Sequence, residues 1–149
     1  MKIGFIFLFF SIFTFFNVYS QREIIRKYYN DGKLEFEEDY LGNKAYGIWR
    51  SYYENGNIKI ETDVLNDTKK TYYESGKLKS HTYIDKDNFR KIIKTYDEDG
   101  NLMSIGIFNN FPKFSGIEKH YDKDKKLIFR YTYRDGKLVG IEKIKHEKK

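Results

Sequence analysis

Residues able to carry out nucleophilic or metal chemistry are few and scattered in this chain. Cysteine is absent, and the three histidines, His81, His120 and His146, lie far apart. Nucleophilic catalysis needs a base beside its nucleophile, and no histidine has a matching serine or cysteine partner. The same isolation leaves no ligand set for a structural metal. We therefore expect a non-enzyme with no metal and no cofactor.

Three acidic segments look like fragments of calcium-binding loops, at 85–87, 97–99 and 122–124. An EF-hand loop around Asp97 would need an oxygen ligand at Thr95 and a glutamate at Gly106. Neither requirement is met. Turn formation explains these acids better, since Asp side chains bond to nearby backbone groups in turns.

Two rows of residues recur at fixed distances from a glycine, and they are the candidate binding residues. The basic row, six positions before the glycine, is Arg26, Arg50, Lys70, Lys94 and Lys119. It is either an anion-binding stripe or a set of long stems packed over aromatic rings with their charges in water. The tyrosine row, four positions before the glycine, is Tyr28, Tyr52, Tyr72, Tyr96 and Tyr121. It either stabilises the fold through cross-strand pairs or contributes to an interface.

Both rows arise from a short phrase that the chain repeats. Its copies lie at 28–34, 52–58, 72–78, 96–102 and 121–127, with a partial copy at 133–138. The first four glycines are 24, 20 and 24 residues apart, and Lys125 takes the glycine position 25 residues later. Such a period is the signature of a repeat architecture.

Each phrase places a turn dipeptide such as Asn-Gly between β-branched or aromatic runs, which predicts a β-hairpin. We therefore predict an all-β fold, an elongated single-layer antiparallel meander of about five hairpin repeats plus a closing strand. Looser connections are expected at 41–46, 65–68, 85–88 and 109–114.

Two hairpin geometries compete at Asn55-Gly56. A two-residue loop would pair Tyr53 with Ile58, whereas a three-residue loop with a left-handed glycine would pair Tyr52 with Ile58. The recurrence of Tyr and of Leu or Ile at the latter two positions favours the three-residue loop, because the constant pair should be the buried one. Lys125 should then be left-handed, at a cost of about 1–2 kcal/mol.

This register also predicts the composition of the two faces. One face should hold the tyrosine row together with Ile24, Ile48, Ile92, Ile117, Leu34, Ile58, Leu78, Leu102, Leu127, Phe36, Ile60 and Phe129. The other should hold Lys27, Ser51, Thr71, Thr95 and His120, with Trp49, Ile93 and Ile105 as apolar exceptions. A wrong register would turn one strand over relative to the other.

The repeat resembles the MORN repeat in its bacterial variant, with units of the form G-x-W-x-x-Y-Y-E-N-G-x-L. Residues 47–58 are the closest copy, and the resemblance covers about 24–145. Departures are Lys125 at the glycine position and Lys69 and Ile93 at the tryptophan position. The resemblance implies a single-layer sheet with no catalytic centre. Similar chains are often labelled antitoxin-like, a role that an export signal argues against.

The first twenty residues have the features of a secretory signal peptide. Lys2 precedes an apolar run over 3–16, and Ser20 ends a small-residue cleavage site before Gln21. The run is shorter than the roughly 20 residues that span a membrane, so cleavage is favoured over an anchor. We expect a signal peptide at 1–20, a MORN-like repeat domain at 21–149, and export to the periplasm, cell surface or medium.

These features together predict a protein–protein interaction module or scaffold whose aromatic and basic face meets an unknown protein partner. The net charge of +6 also fits an anionic surface. Cell-wall or carbohydrate binding and peripheral membrane binding are the alternatives, although the single tryptophan, Trp49, offers little stacking surface for sugars. A nucleic-acid partner is not expected.

Overall fold

The described residues form one eleven-stranded antiparallel sheet in which every strand pairs with its neighbours in sequence. The computed structural model describes residues 21–109 and 114–144. The strands are β1 (Arg22–Tyr28), β2 (Leu34–Leu41), β3 (Lys44–Tyr52), β4 (Ile58–Asp63), β5 (Thr68–Tyr72), β6 (Leu78–Asp85), β7 (Arg90–Tyr96), β8 (Leu102–Asn109), β9 (Ser115–Tyr121), β10 (Leu127–Arg134) and β11 (Lys137–Lys143). This confirms the predicted meander of five hairpins and a closing strand.

The hairpin turns have the three-residue geometry that the repeat favours. In the second hairpin, Tyr53 N donates to Asn57 O at 2.8 Å and Gly56 N donates to Tyr53 O at 2.9 Å. Gly56 has a φ of 88°, and Tyr52 lies opposite Ile58. The first four hairpins place glycine in this left-handed position, and the fifth places Lys125 there with a φ of 60°. The predicted left-handed lysine is thus confirmed.

A second irregularity follows each turn, and it was not predicted. After the pair Tyr52–Ile58, the next pair is Ser51–Ile60, so Lys59 is an extra residue on β4. A bulge of this kind shifts the side chains beyond it to the other face. The same register shift occurs in all five hairpins, where the extra residues are Glu35, Lys59, Lys79, Met103 and Ile128.

The bulge overturns part of the predicted face assignment. Phe36, Ile60 and Phe129 were expected to share the face of the tyrosine row, but they pair with Lys27, Ser51 and His120, respectively, on the other face. Ile105 moves in the opposite direction, because it pairs with Lys94 and Lys119 of the basic row.

The three connections between hairpins that the structure describes in full, after β2, β4 and β6, are short. The predicted connection at 109–114 lies mostly outside the described residues. The one predicted at 41–46 is shorter than expected, since Leu41 and Lys44 still pair across a two-residue turn. At the connection after β4, Asp63 Oδ2 accepts from Asn66 Nδ2 at 2.8 Å. The connection after β6 uses the same Asp-to-Asn bond, so these loops are closed by side chains of their own.

A single layer encloses few side chains. Phe108 is the buried hydrophobic residue of the described part, with Phe114 stacked on it at 3.9 Å between ring centroids and Tyr133 edge-on at 5.7 Å. Asp39 and Ser104 are the buried polar residues among those described. Stability therefore rests on cross-strand pairs rather than on a thick core. None of the described residues belongs to a helix long and apolar enough to cross a bilayer.

Candidate interaction surface

One cross-strand row of side chains crosses the whole sheet, and we call it the charge ladder. From β1 to β11 its members are Arg26, Glu37, Arg50, Glu61, Lys70, His81, Lys94, Ile105, Lys119, Arg130 and Glu142. Each member is the direct cross-strand partner of the next. All five residues of the basic row belong to it, so they align across the hairpins as their spacing predicts. We call the face that carries it the ladder face.

The first half of the charge ladder is electrically balanced. Glu37 lies between Arg26 and Arg50, at 3.4 and 3.5 Å respectively. Glu61 accepts a hydrogen bond from Arg50 Nε at 2.9 Å and lies 3.8 Å from Lys70 Nζ. Both glutamates are about one-fifth exposed. Alternating charges on adjacent strands are favourable directly opposite one another.

The second half is not balanced. From Lys70 to Arg130 the charge ladder contains no carboxylate, and no described acidic residue forms an ion pair with Lys94 or Lys119. Arg130 is bonded to Glu142 on β11 at 2.7 Å. We define the cationic run as Lys70, His81, Lys94 and Lys119. Lys70 keeps Glu61 as an acidic cross-strand partner, whereas the other three have no acidic residue directly opposite them. The charges of Lys94 and Lys119 are therefore not cancelled by their cross-strand neighbours.

His81 lies at the centre of the charge imbalance. Its cross-strand partners are Lys70 on β5 and Lys94 on β7. Partial burial, together with the charges of these two lysines, lowers the pKa of His81 below 6.5. The Tyr83 ring lies 4.9 Å from the imidazole, and Lys94 Nζ lies 5.7 Å from the centre of the same ring. Lys94 is the member of the basic row whose charge packs over an aromatic ring within the described residues, as one of the two interpretations of that row expects.

The tyrosine row lies next to the charge ladder, at the turn end of each hairpin. Each of its members is opposite the predicted Leu or Ile, from Tyr28–Leu34 to Tyr121–Leu127. Tyr28 on the edge strand is 54% exposed, whereas the other four are half-buried. Tyr52 also donates its hydroxyl to Glu37 Oε1 at 3.0 Å, which links the two rows. The pairing is confirmed, and a binding role for either row stays a prediction.

Sequence reasoning missed the two glutamates that balance the first half. A simple continuation of the three-residue hairpin pairs Arg50 with Ile60, whereas the extra bulge pairs Arg50 with Glu61. The sequence contains a signal that could have identified them, the residue five positions after the turn glycine or its replacement Lys125. In the five copies this residue is Glu37, Glu61, His81, Ile105 and Arg130. It is acidic in the first two copies and not acidic in the last three, which is where the charge ladder changes from balanced to unbalanced.

It also missed a set of tyrosines that hold neighbouring hairpins together. Tyr29, Tyr53 and Tyr73 lie three positions before the glycine. Their hydroxyls donate to the backbone oxygens of Tyr52, Tyr72 and Tyr96 in the next hairpin, at 2.6, 2.9 and 2.8 Å. We call them the clamp tyrosines.

An ion pair between the exposed Arg22 and the buried Asp39 joins β1 to β2. Asp39 accepts from Arg22 Nε at 3.0 Å and from Arg22 Nη2 at 2.6 Å, and its pKa is lowered mainly by that hydrogen bond. Trp49 Nε1 donates to the backbone oxygen of Asp39 at 2.8 Å. Gly47, with a φ of 60°, leaves room for the carboxylate, because a Cβ there would lie 2.3 Å from Asp39 Oδ2.

The remaining candidates for chemistry are two histidines and the acidic segments, and the described ones among them take part in local hydrogen bonds. His120 contacts Glu118 Oε1 at 2.9 Å, and His146 lies outside the described residues. The acidic segments close turns as predicted: Asp97 Oδ1 accepts from Asn101 N at 2.8 Å, and Asp122 Oδ1 accepts from Lys126 N at 2.8 Å. No group of three His, Cys, Asp or Glu residues within 21–109 and 114–144 could hold a metal ion.

A comparison with protein-family models finds the MORN repeat variant four times in this chain. The matches cover 24–41, 45–66, 68–85 and 91–110, which together amount to more than half of the chain. Each match spans a hairpin of the sheet, beginning within or just before its first strand and reaching the end of its second strand or just beyond. No curated protein matches the chain.

Proposed function

The chain belongs to the MORN repeat variant family, and from this premise we propose that it is an exported, non-enzymatic module whose ladder face binds an acidic segment of another protein. Repeats of this family are generally interaction repeats for proteins or membranes, and the family is typically non-catalytic.

The observation that carries the proposal is the charge imbalance along the charge ladder. Residues that serve only to hold strands together would be expected to alternate in sign, as Arg26, Glu37, Arg50 and Glu61 do. Beyond Lys70 the alternation ends. Lys119 even lies directly opposite Arg130, a like-charge pair that is unfavourable in the isolated sheet, and an acidic partner would reduce that cost.

The neighbouring tyrosines favour a protein partner over a small ion. Tyr96 and Tyr121 lie on the same strands as Lys94 and Lys119, two positions further along. Half-buried tyrosines supply large contact area at low entropic cost and are enriched at protein interfaces. An extended acidic segment crossing β5 to β9 would meet cations and phenol rings together.

Affinity capture with matched charge variants tests the proposal. The full chain is used to capture proteins from an envelope fraction, beside Lys94→Gln/Lys119→Gln. The control is Lys59→Gln/Lys79→Gln, which removes the same charge from exposed bulge residues packed over Tyr53 and Tyr73. We expect an acidic protein to be captured by the wild type and by the control variant, and to be lost from the ladder variant.

Two results would count against this function. Recovery of no partner above background would contradict an interaction role. If both double variants lost the captured protein equally, capture would depend on the net charge of the chain and not on the ladder face. Export is checked separately by the mass of the chain recovered from the cell envelope, which should correspond to a start at Gln21. Recovery of the uncleaved chain in the cytoplasm would contradict it.

An anionic membrane surface is the second candidate, and the cationic run favours it as well. Lys70, Lys94 and Lys119, on β5, β7 and β9, could each meet a lipid headgroup, and such binding weakens as salt screens it. Flotation with vesicles containing anionic lipid, at low and at high salt, tests this candidate. If the chain floats only with vesicles that contain anionic lipid, and Lys94→Gln/Lys119→Gln does not float, a membrane is favoured over a protein partner.

A further inference from the structure

β1 is an edge strand of the sheet, and no other described strand pairs with its outer side. All seven of its residues are exposed, including Ile24 and Ile25 at 44% and 43%. An edge strand presents a row of unpaired backbone groups to any strand that can align with it. In β1 that row is accompanied by aliphatic side chains on both faces.

The backbone groups that point outward can be identified from those that point inward. Gln21 O accepts from Gly42 N on the β2 side, and Tyr29 N donates to Lys33 O on the same side. Because hydrogen-bonding direction alternates along a strand, the odd-numbered residues of β1 face β2. The backbone groups of Arg22, Ile24, Arg26 and Tyr28 therefore face away from the sheet.

We infer that β1 pairs antiparallel with β1 of a second copy, about a two-fold axis at Ile25. Ile24 then forms a hydrogen-bonded pair with Arg26 of the second copy, and Arg22 with Tyr28 of the second copy, each twice by symmetry. The two Ile25 side chains meet at the axis. The axis is perpendicular to the sheet, so the ladder faces of both copies lie on the same side.

The charge pattern of β1 selects this register. Centring the pair on Ile25 places Glu23 opposite Lys27 of the second copy, an opposite-charge pair on each side of the axis. A shift by one register step in either direction keeps the hydrogen bonds but opposes like charges: Arg22 meets Arg26, or Arg26 meets Arg26. Opposite charges directly across a pair are favourable and like charges are unfavourable.

β11, the strand at the other edge of the described sheet, lacks this self-complementarity. β11 has Gly140 at its middle, and glycine inside a strand has no side chain to pack. Pairing β11 with itself about Ile141 would place Gly140 opposite Glu142 and Val139 opposite Lys143, so no charge pair forms. A pairing confined to β1 closes on itself and gives a dimer rather than a fibre.

Sedimentation analysis of the full chain, purified as the cell processes it, tests the pairing. We expect a dimer for the wild type. Ile24→Pro removes an outward N–H and should give a monomer, because that N–H makes no bond to β2. Ile141→Lys on the exposed edge strand β11 is the matched control and should remain a dimer.

A charge-swap experiment tests the register itself. Glu23→Lys and Lys27→Glu should each be monomeric alone, since each places like charges across the axis. Mixed in equal amounts they should form a heterodimer, because every Lys then faces a Glu. A monomeric wild type would overturn the inference, as would a dimer that Ile141→Lys dissociates or one that survives both β1 charge variants unchanged.

Discussion

At the scale of the residue, the position three before the turn glycine decides how a hairpin is held to its neighbour. Tyr29, Tyr53 and Tyr73 reach across to the next hairpin. Asp97 and Asp122 occupy the same position in the fourth and fifth hairpins and instead accept bonds from their own turns. Each of the first three hairpins is thus bonded to the next one through a clamp tyrosine, whereas the aspartates of the last two close their own loops.

The clamp can be tested by removing one hydroxyl. Tyr53→Phe should lower the free energy of unfolding by about 0.5–1.5 kcal/mol, because the backbone oxygen of Tyr72 loses a hydrogen bond. The melting temperature of Tyr53→Phe should be lower than that of the wild type by a few degrees. Tyr96→Phe is the control, since no described residue bonds to the Tyr96 hydroxyl, and an equal loss in both variants would refute the clamp.

The left-handed lysine of the fifth turn makes a second prediction. Lys125→Gly should raise the melting temperature by a few degrees, because φ of 60° costs a residue with a Cβ about 1–2 kcal/mol. Lys123→Gly in the same turn serves as the control and should lower it, since Lys123 is not left-handed. A lower melting temperature for Lys125→Gly would show that the lysine side chain contributes more than its strain costs.

At the scale of the element, the extra bulge of each hairpin determines which side chains share the ladder face. The three-residue turn could be predicted because the Tyr52 position is tyrosine in all five main copies and the Ile58 position is always leucine or isoleucine. The bulge could not, because its extra residue changes from Glu35 to Lys59 to Met103 and carries no constant side chain. Phe36 and Ile60 were misplaced for this reason, and Glu37 and Glu61 were overlooked.

Protonation of His81 should couple to binding on the cationic run. The lowered pKa means that the folded chain binds fewer protons than the unfolded chain near pH 6.5, so stability should decrease as the pH falls through that value. An anionic ligand beside Lys70 and Lys94 would favour the charged imidazole and raise the pKa of His81. By linkage, a polyglutamate peptide should bind more tightly as the pH falls from about 7.5 to about 5.5, where glutamate is still ionised.

Calorimetric titration of the peptide at several pH values measures this coupling. His81→Gln should flatten the pH dependence while retaining binding at neutral pH. His120→Gln is the matched control, because His120 lies on the opposite face beside Glu118. A pH dependence that survives in His81→Gln would assign it to another group.

At the scale of the whole molecule, extensive contacts between described strands are confined to consecutive pairs. Stability then becomes a sum of hairpin terms and interface terms between neighbours. The arrangement could be predicted from the period of the repeat alone. The balance of charge across it could not, because that depends on the register of all ten strand pairings.

Damage at one end of such a sheet should remain local. Asp39→Asn weakens the bond to Arg22 and should speed amide hydrogen exchange in β1, β2 and β3 while leaving β8, β9 and β10 unchanged. Exchange measured segment by segment by mass spectrometry checks this. Uniform acceleration along the chain would show instead that the sheet opens as one cooperative unit.

A sheet built from consecutive strands also has a mechanical consequence. If the chain were pulled at the start of β1 and at the end of β11, the two edge strands, each edge strand would peel from its neighbour one hydrogen bond after another, because the force would act on the end of the ladder and not on many bonds in parallel. Hairpins would come away singly, each releasing about 20 residues and therefore roughly 70 Å of extended chain. The protein would lengthen in steps under tension and recoil in the reverse order, as an extensible tether does.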